Sequence, residues 1–188
     1  MYSHAPPQTP KADVNYLQGL FRNVDKDRSG NISAAELQSA LSNGTWKPFN
    51  PETVRMMIDM FRSSPGMFDR HRTGTVNFDE FVSLWNYITN WLNCFQSFDK
   101  DRSGNIDKDE LSEALTKFGY RLSEPIMSML LVKFDRDGKG SINFDDFIQC
   151  CVTLQTLTAA FRHYDTDQDG WITIGYEDFL KLVFSLRM

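Results

Sequence analysis

The sequence predicts an all-α domain of eight helices, with short β-pairings between some of the loops that join them. Two observations support this prediction. A segment rich in aspartate and glycine recurs five times along the 188 residues, and a periodic apolar stretch precedes each copy. The copies begin at positions 25, 69, 99, 135 and 165. We expect a short, flexible, proline-containing tail over residues 1–12, followed by one domain over residues 13–188.

Composition argues against several classes of protein. The net charge is −5 and the basic residues are dispersed, which disfavours nucleic-acid binding, since a phosphate backbone attracts clustered lysine and arginine. The chain has no apolar stretch long enough to cross a membrane, and its N-terminus lacks the apolar run of a signal peptide. Three cysteines lie inside apolar stretches, so we expect buried free thiols in a reducing compartment, cytoplasmic or nuclear.

The repeated segment has the pattern of an EF-hand calcium-binding loop. Residues 25–32, DKDRSGNI, recur as residues 99–106, and the other three copies are looser. Every copy has glycine at its sixth position and a β-branched residue at its eighth. Glycine allows the sharp turn that folds the loop around an ion, and the branched residue favours a short strand that pairs with a neighbouring loop. Oxygen ligands for a hard divalent cation then come from positions 1, 3, 5, 7, 9 and 12.

Two loops supply a complete set of oxygen ligands for calcium. In the first, residues 25–36, the predicted ligands are Asp25, Asp27, Ser29, Asn31 through its carbonyl, Ser33 through a water, and Glu36. In the third, residues 99–110, they are Asp99, Asp101, Ser103, Asn105 through its carbonyl, Asp107 and Glu110. The third loop has one more carboxylate, so we expect it to bind calcium more tightly.

The second and fourth loops depart from the pattern. The second, residues 69–80, has His71 and Thr73 at two ligand positions, and imidazole is a poor ligand for a hard cation. The fourth, residues 135–146, places the cation of Lys139 inside the site and closes with Asp146, one methylene shorter than glutamate. Both loops are predicted to be mainly structural partners of their neighbours, with weak calcium or magnesium binding at most in the fourth.

The fifth loop begins as a strong site and ends as an altered one. Its predicted ligands are Asp165, Asp167, Asp169 and the carbonyl of Trp171. Position 12 is Tyr176, and the next carboxylate follows one residue later. We therefore expect a longer loop, residues 165–178, that binds calcium with low affinity or takes magnesium instead.

The spacing of the loops predicts where helices are shared. Only 30 residues separate the starts of the second and third loops, and of the fourth and fifth, which is too few for two helices and a turn. One helix over residues 78–98 and another over 144–164 must each serve two hands. Gly119 is predicted to end a helix and Ser123 to cap the next, while Asn50-Pro51 opens the helix of the second hand. In the first loop, Ser33 and Glu36 form a capping box.

The fifth hand has no partner within the chain. EF-hands pair through their loop strands, so the first pairs with the second and the third with the fourth. The unpaired strand and the apolar helix over residues 179–186 must then be buried against another surface. Pairing with the fifth hand of a second copy across a two-fold axis is the economical solution. The alternative is that the terminal helix folds back on its own chain.

Five hands with shared helices resemble the penta-EF-hand family. The resemblance covers residues 15–185 and rests on the segments SNGTW at 42–46, PFNP at 48–51, GYRLS at 119–123 and DTDQDGWI at 165–172. It implies a homodimer through the fifth hand, metal mainly in hands one, three and five, and calcium-dependent recognition of proline-rich segments. The partners it implies act in vesicle transport, membrane remodelling and apoptosis, at endoplasmic reticulum or endosomal surfaces.

One segment departs from the family. Residues 62–68, RSSPGMF, have the character of an insertion, with Met60-Phe61 echoed by Met67-Phe68. Ser-Ser-Pro-Gly is predicted to break the helix that enters the second hand. The pairing of hands one and two then depends on whether the extra residues bulge outwards.

A set of mostly aromatic residues near the third hand is the candidate partner surface. Its members are Trp85, Ile88, Trp91, Phe118, Tyr120, Arg121 and Tyr176. Aromatic grooves suit polyproline segments, whose extended helix loses little entropy on docking. The resemblance implies that Arg121 moves with calcium and opens the pocket. The alternative is that most of these side chains are ordinary core packing.

These features predict a calcium sensor and adaptor rather than an enzyme. The three histidines are dispersed and no nucleophile–base pattern is present. Filling two sites with calcium would bring the net charge close to zero, which favours association with partners and membrane surfaces. The alternatives are a calcium buffer and a calcium-regulatory subunit of a protease, the latter as a heterodimer.

Overall fold

The computed structural model describes residues 13–41, 49–62 and 75–185, with the side chains of 59–62 and 185 excepted. Within these ranges the chain is mostly helical, as predicted. The helices are α1 (Val14–Val24), α2 (Ala34–Ala40), α3 (Pro51–Arg62), α4 (Phe78–Phe98), α5 (Lys108–Lys117), α6 (Glu124–Phe134), α7 (Phe144–Tyr164) and α8 (Tyr176–Ser185). The strands are β1 (Ile32–Ser33), β2 (Thr75–Val76), β3 (Ile106–Asp107) and β4 (Ser141–Ile142). Both predicted shared helices, α4 and α7, have the predicted bounds.

Three of the helices that leave a loop begin with the same reciprocal cap. In α2, the Ser33 hydroxyl accepts a hydrogen bond from the backbone of Glu36, and the Glu36 carboxylate accepts one from the backbone of Ser33. The same box starts α4 with Asn77 and Glu80, and α5 with Asp107. These residues stand at loop positions 9 and 12. The spacing of two metal ligands is therefore also the spacing of a helix N-cap and its third residue, so one pattern both ends the loop and starts the helix.

The breaks between helices lie where the sequence predicts them. Gly119 has φ +93° and follows α5, and the neighbouring N–H of Tyr120 donates to the Leu115 carbonyl at 2.8 Å, which closes the helix. Ser123 precedes α6 as its N-cap residue, but its side chain makes no cap hydrogen bond. At the start of α3, the Asn50 carboxamide oxygen accepts from the N–H of Glu52 at 2.9 Å.

Two antiparallel strand pairs join the first four hands. Ile32 lies opposite Val76, and Ile106 lies opposite Ile142. All four side chains are buried, so the pairs are fixed by apolar packing as well as by backbone hydrogen bonds. Hands one and two therefore pair despite the extra residues. Helix α3 ends at Arg62, and the remainder of the insertion, residues 63–68, lies outside the described residues, as do the tail, residues 1–12, and the second-loop residues His71 and Thr73.

The chain divides into two compact units, residues 1–148 and 149–188. The core of the first unit is rich in aromatic rings. Phe21 meets Phe81 edge-on across α1 and α4, and Phe95 meets Phe144 and Phe147 in the same way. Edge-to-face contacts of this kind add to the free energy gained by burying the rings. All three cysteines are buried free thiols, as predicted, and burial raises the pKa of Cys94 to about 11 and that of Cys150 to about 12.

Among the described residues, no helix is both long enough and apolar enough to span a membrane.

Two glycines, one inside α1 and one after α5, test whether the helices have these bounds. Gly19 lies inside α1, and a β-carbon added there would meet no atom within 4 Å. We expect Gly19→Ala to raise the free energy of unfolding by roughly 0.5–1 kcal/mol, because alanine loses less backbone entropy in a helix. Gly119→Ala should lower it by about 1–2 kcal/mol, because alanine is strained at positive φ. Urea denaturation measures both, and equal effects would contradict the role of Gly119 as the positive-φ residue that follows the C-cap of α5.

Candidate calcium sites and aromatic cluster

The first and third loops bring their predicted carboxylates together. One oxygen each from Asp25, Asp27 and Glu36 lies within 4.8 Å of the others, and the same is true of Asp99, Asp101 and Glu110. The residues at the first and last positions are partly or fully buried, while the third-position aspartates are exposed. Each loop thus presents three acidic oxygens around one point, a donor set that fits a hard divalent cation such as calcium.

The backbone of each loop holds these carboxylates in place. In the first loop, the N–H of Ser29 donates to Asp25 and to Asp27, both at 2.9 Å, and the N–H of Gly30 donates to Asp25 at 2.9 Å. Arg28 and Gly30 have positive φ, which turns these amides towards the ring of oxygens. The third loop repeats the pattern, with Ser103 donating to Asp99 and Asp101. The loop is therefore folded around its acidic groups by its own amides.

The remaining predicted ligands follow the same arrangement. The Ser29 hydroxyl donates to the Asn31 carbonyl at 2.8 Å, and Ser103 donates to the Asn105 carbonyl at 3.0 Å. These oxygens at positions 5 and 7 are thus adjacent in both loops. The closing carboxylate of Glu36 accepts from the N–H of Lys26 at 3.0 Å, and that of Glu110 accepts from the N–H of Lys100 at 2.8 Å.

These hydrogen bonds favour the charged form of the carboxylates. Those from Ser29 lower the pKa of Asp27, those from Ser33 lower the pKa of Glu36, and those from Ser103 lower the pKa of Asp101. A carboxylate must be ionised to bind a metal ion, so the loops are ready for calcium at neutral pH.

The fifth loop gathers three carboxylates without a closing one. Oxygens of Asp165, Asp167 and Asp169 lie within 4.8 Å of one another. One carboxylate oxygen of Asp165 is buried and has no hydrogen-bond partner, which a bound cation would satisfy. Tyr176 is the first residue of α8 and is 75% exposed, so it closes nothing. Trp171 donates its N–H to Asp169 at 2.7 Å, and its side chain is 82% exposed. The fifth-loop cluster thus contains carboxylates from the first half of the loop, and its low affinity stays a prediction.

The fourth loop contains a cation that the sequence analysis missed. The guanidinium of Arg136, at loop position 2, donates from Nε to Asp146 Oδ2 at 3.0 Å and from Nη2 to Asp145 Oδ2 at 2.7 Å. Lys139, the cation predicted to lie in the site, is 3.6 Å from Asp137. Burial, together with the charge of Asp145, raises the pKa of Asp146 to about 6. The sequence held one signal for this contact, the adjacent pair Asp145-Asp146. Two neighbouring carboxylates, once buried, require a cation close by.

The aromatic cluster on α4 and the linker that follows α5 is partly core. This cluster comprises Trp85, Ile88, Trp91, Phe118 and Tyr120. Trp91 is 5% exposed, and its ring meets Phe118 at 6.3 Å between centroids. Ile88 is also buried, while Trp85, Phe118 and Tyr120 are partly exposed. Arg121 is exposed beside them, and Tyr176 lies in the second unit.

One polar atom in this cluster has no partner. The indole nitrogen Nε1 of Trp91 is buried and makes no hydrogen bond. A buried donor without an acceptor costs about 1–3 kcal/mol. The cluster therefore contains a hydrogen-bond donor that its present arrangement does not use.

Comparisons with known proteins agree with this description. A model of the EF-hand domain pair matches residues 14–85 and again residues 88–151. Sorcin from Schistosoma japonicum is 46% identical over 174 residues, which cover 93% of this chain and 97% of that protein. Human sorcin is 41% identical, covering 98% of this chain and 91% of its own. Human peflin is 42% identical, and the match covers 96% of this chain and 60% of peflin.

A solved structure shows the same architecture. It is a homolog of programmed cell death 6 protein from Leishmania major Friedlin, which superposes with a TM-score of 0.75 at 32% identity. The superposition covers 90% of this chain and 92% of that one.

The closing glutamates allow the sites to be distinguished. Glu110→Gln removes a charged ligand from the third loop, so we expect the tighter calcium-binding event in a calorimetric titration to weaken by at least about tenfold. Glu36→Gln should weaken the other event. Glu177→Gln has the same change of charge but lies outside the fifth-loop cluster, and it should change neither. If Glu177→Gln had the effect of Glu110→Gln, the assignment of the ligands would be wrong.

Proposed function

Because this chain belongs to the penta-EF-hand family of calcium-binding proteins, we propose that it is a calcium sensor and adaptor, not an enzyme, and that its calcium-loaded form binds proline-rich segments of other proteins. The observation that carries the proposal is the unused indole N–H of Trp91. It lies inside an aromatic cluster, next to a linker that directly follows the third hand.

The chemistry of the cluster suits a proline-rich ligand. A polyproline segment has no proline N–H groups to donate, and its carbonyl groups remain free to accept hydrogen bonds. Aromatic rings pack against the proline rings, while an indole N–H supplies the donor that fixes the register. Trp91 provides both groups once the ring of Phe118 no longer covers it. A buffer would have no need for such a donor.

Helix α5 connects the third calcium site to this cluster. Glu110, which closes the site, is the third residue of α5, and Phe118 is the residue that caps its other end. When bound, calcium supplies a charge that draws the loop oxygens together. Glu110 then has to shift with them, α5 reorients, and Phe118 moves relative to Trp91 on α4. This is the type of change by which sensor EF-hands expose apolar surface.

We propose that the chain is a homodimer through its fifth hand. Within the described residues, no strand forms in the fifth loop. The second unit also exposes a series of large apolar side chains, namely Trp171, Tyr176, Phe179, Val183 and Phe184. An exposed apolar surface of this kind marks an interaction site. A two-fold interface with the same surface of a second copy is the simplest way to bury it. A dimer would present two partner sites and could bridge two proteins.

We further propose a cytoplasmic location, with nuclear pools and recruitment to the surfaces of endoplasmic reticulum or endosomal membranes. Buried free thiols fit a reducing compartment. The net charge of −5 becomes less negative as calcium binds, which lowers repulsion from anionic membranes and acidic partners.

Trp91→Phe tests the proposed binding mode. It keeps an aromatic ring but removes the N–H, so calcium-dependent affinity for synthetic proline-rich peptides, measured by calorimetry, should fall roughly tenfold. Stability should fall by about 1–3 kcal/mol, because the smaller ring leaves a cavity beside Phe118 and Phe147, but no hydrogen bond is lost in the free protein. Binding that is equal with and without calcium, or unaltered affinity in the variant, would contradict the proposal. A calcium buffer would also show no calcium-induced rise in binding of an apolar dye.

The dimer can be tested with two equally exposed side chains. Phe184 is 82% exposed on α8, and Val132 is 78% exposed on α6. Phe184→Asp should yield a monomer in light scattering, because it places a charge in the proposed interface. Val132→Asp adds the same charge elsewhere and should leave a dimer. A monomeric parent protein would favour the alternative in which the last helix folds back on its own chain.

A further inference from the structure

We propose that Arg136 is a built-in cation of the fourth hand, and that it pre-organises the third calcium site by holding the fourth loop in a fixed form without metal. The inference goes beyond partner binding and rests on calcium binding at the third hand. The Glu110→Gln experiment tests that premise separately.

The guanidinium makes a two-pronged contact with adjacent carboxylates. Its Nε lies 2.7 Å from Asp146 Oδ1 and 3.0 Å from Asp146 Oδ2, and only the latter contact has hydrogen-bond geometry. Its Nη2 lies 2.7 Å from Asp145 Oδ2. The Arg136 side chain is 41% exposed, whereas those of Asp145 and Asp146 are 0% and 1% exposed. The arginine therefore reaches from the surface to a buried pair of negative charges.

Electrostatics makes this contact necessary for the loop. Burying an ionised carboxylate without compensation is costly, and two adjacent carboxylates repel each other. The planar fork of arginine can serve both at once, which a lysine cannot do. Removing the arginine alone would leave two adjacent, buried negative charges without this cation, although Asp145 would keep its hydrogen bond from the Asn50 N–H. This is the situation in which breaking a buried ion pair is most destabilising.

The corresponding residues of the two calcium loops behave differently. Position 2 is Lys26 in the first loop and Lys100 in the third. Their backbone N–H groups bind the closing glutamates, while their side chains turn to Ser39 and Glu113 outside the loop. In the fourth loop the side chain of position 2 turns inwards and binds the closing residue itself. The fourth hand thus has a permanent positive charge paired with its closing carboxylate, which in the calcium loops is free of such a side-chain cation.

The fixed fourth loop is attached directly to the third site. Strand β4 pairs with β3 through Ile142 opposite Ile106, and both side chains are almost fully buried. The next residue of β3, Asp107, accepts a hydrogen bond from the N–H of Glu110 at 2.9 Å. A rigid β4 therefore restrains the residues that orient the closing ligand of the third loop. A site ordered before calcium arrives loses less entropy on binding.

The same cluster extends to the second hand. Asp145 Oδ2 accepts from the N–H of Asn50 at 2.7 Å, and the Asp145 carbonyl accepts from the Thr53 hydroxyl at 3.3 Å. Asn50 and Thr53 lie at the start of α3 and are buried. Arg136 thus stabilises a junction that holds the fourth loop from two sides, by β3 of the third hand and by α3 of the second.

A pair of variants with the same change of charge tests the proposal. Arg136→Gln and Lys139→Gln each remove one positive charge from the fourth loop, but Lys139 does not touch the buried pair. Charge alone predicts that both variants bind calcium at the third site slightly more tightly. Pre-organisation predicts that Arg136→Gln binds roughly five- to tenfold more weakly in calorimetry. Equal affinities in the two variants would overturn the proposal.

Stability and hydrogen exchange supply two further readouts, and the exchange measurement uses the unaltered protein. We expect Arg136→Gln to lower the melting temperature of the calcium-free protein by roughly 6–12 °C. If that variant does not fold, Arg136→Lys, which keeps the charge but loses the fork, replaces it in the titration, with the same expectation of weaker binding. In the intact, calcium-free protein, the amides of Asn50 and Ile142 should exchange slowly. Fast exchange at both would show that no fixed fourth loop exists before calcium binds.

Discussion

The side chain at the twelfth position of each loop, a carboxylate in the first four, is the group on which most of this structure depends. In the first and third hands it closes the acidic ring, caps the following helix and binds the backbone at position 2. A hard cation and a helix N-terminus both attract a negative oxygen, and the loop spacing lets one side chain serve both. Metal binding and helix initiation therefore depend on the same side chain. A loop whose twelfth residue caps the following helix already holds that carboxylate near the position of a metal ligand.

The first, third, fourth and fifth hands differ in what meets that position. Glu36 and Glu110 face open acidic rings, which calcium can enter. Asp146 meets the guanidinium of Arg136, which makes the fourth hand a constant element that does not vary with the calcium concentration. Tyr176 begins α8 and faces outwards, which leaves the fifth loop open and its helix apolar and exposed. In the proposed function, one repeated unit thus supplies sensing, supporting and associating elements, and the contacts of this position are part of what distinguishes them.

Local rules in the sequence predicted the backbone well. Glycine at positive φ, the capping boxes and the branched eighth positions act within a few residues of themselves, so their effects do not depend on the rest of the fold. The direction of the Arg136 side chain was not predictable, because position 2 is not a ligand position in the loop pattern. Its direction follows from the burial of Asp145 against α3, a contact across 95 residues of sequence. The unused N–H of Trp91 likewise depends on which rings surround it.

In the proposed calcium sensor, the length of α5 sets the size of the movement. Eight residue steps along α5 separate Glu110, the closing ligand of the third loop, from Phe118 at the start of the linker. That distance is about 12 Å, so a tilt of about 10° at one end displaces the other by about 2 Å. A displacement of that size is a large part of the thickness of an aromatic ring. In the proposed mechanism, a small rotation at the metal would suffice to uncover a face of Trp91, and the number of residues between Glu110 and Phe118 sets how far the rotation is carried.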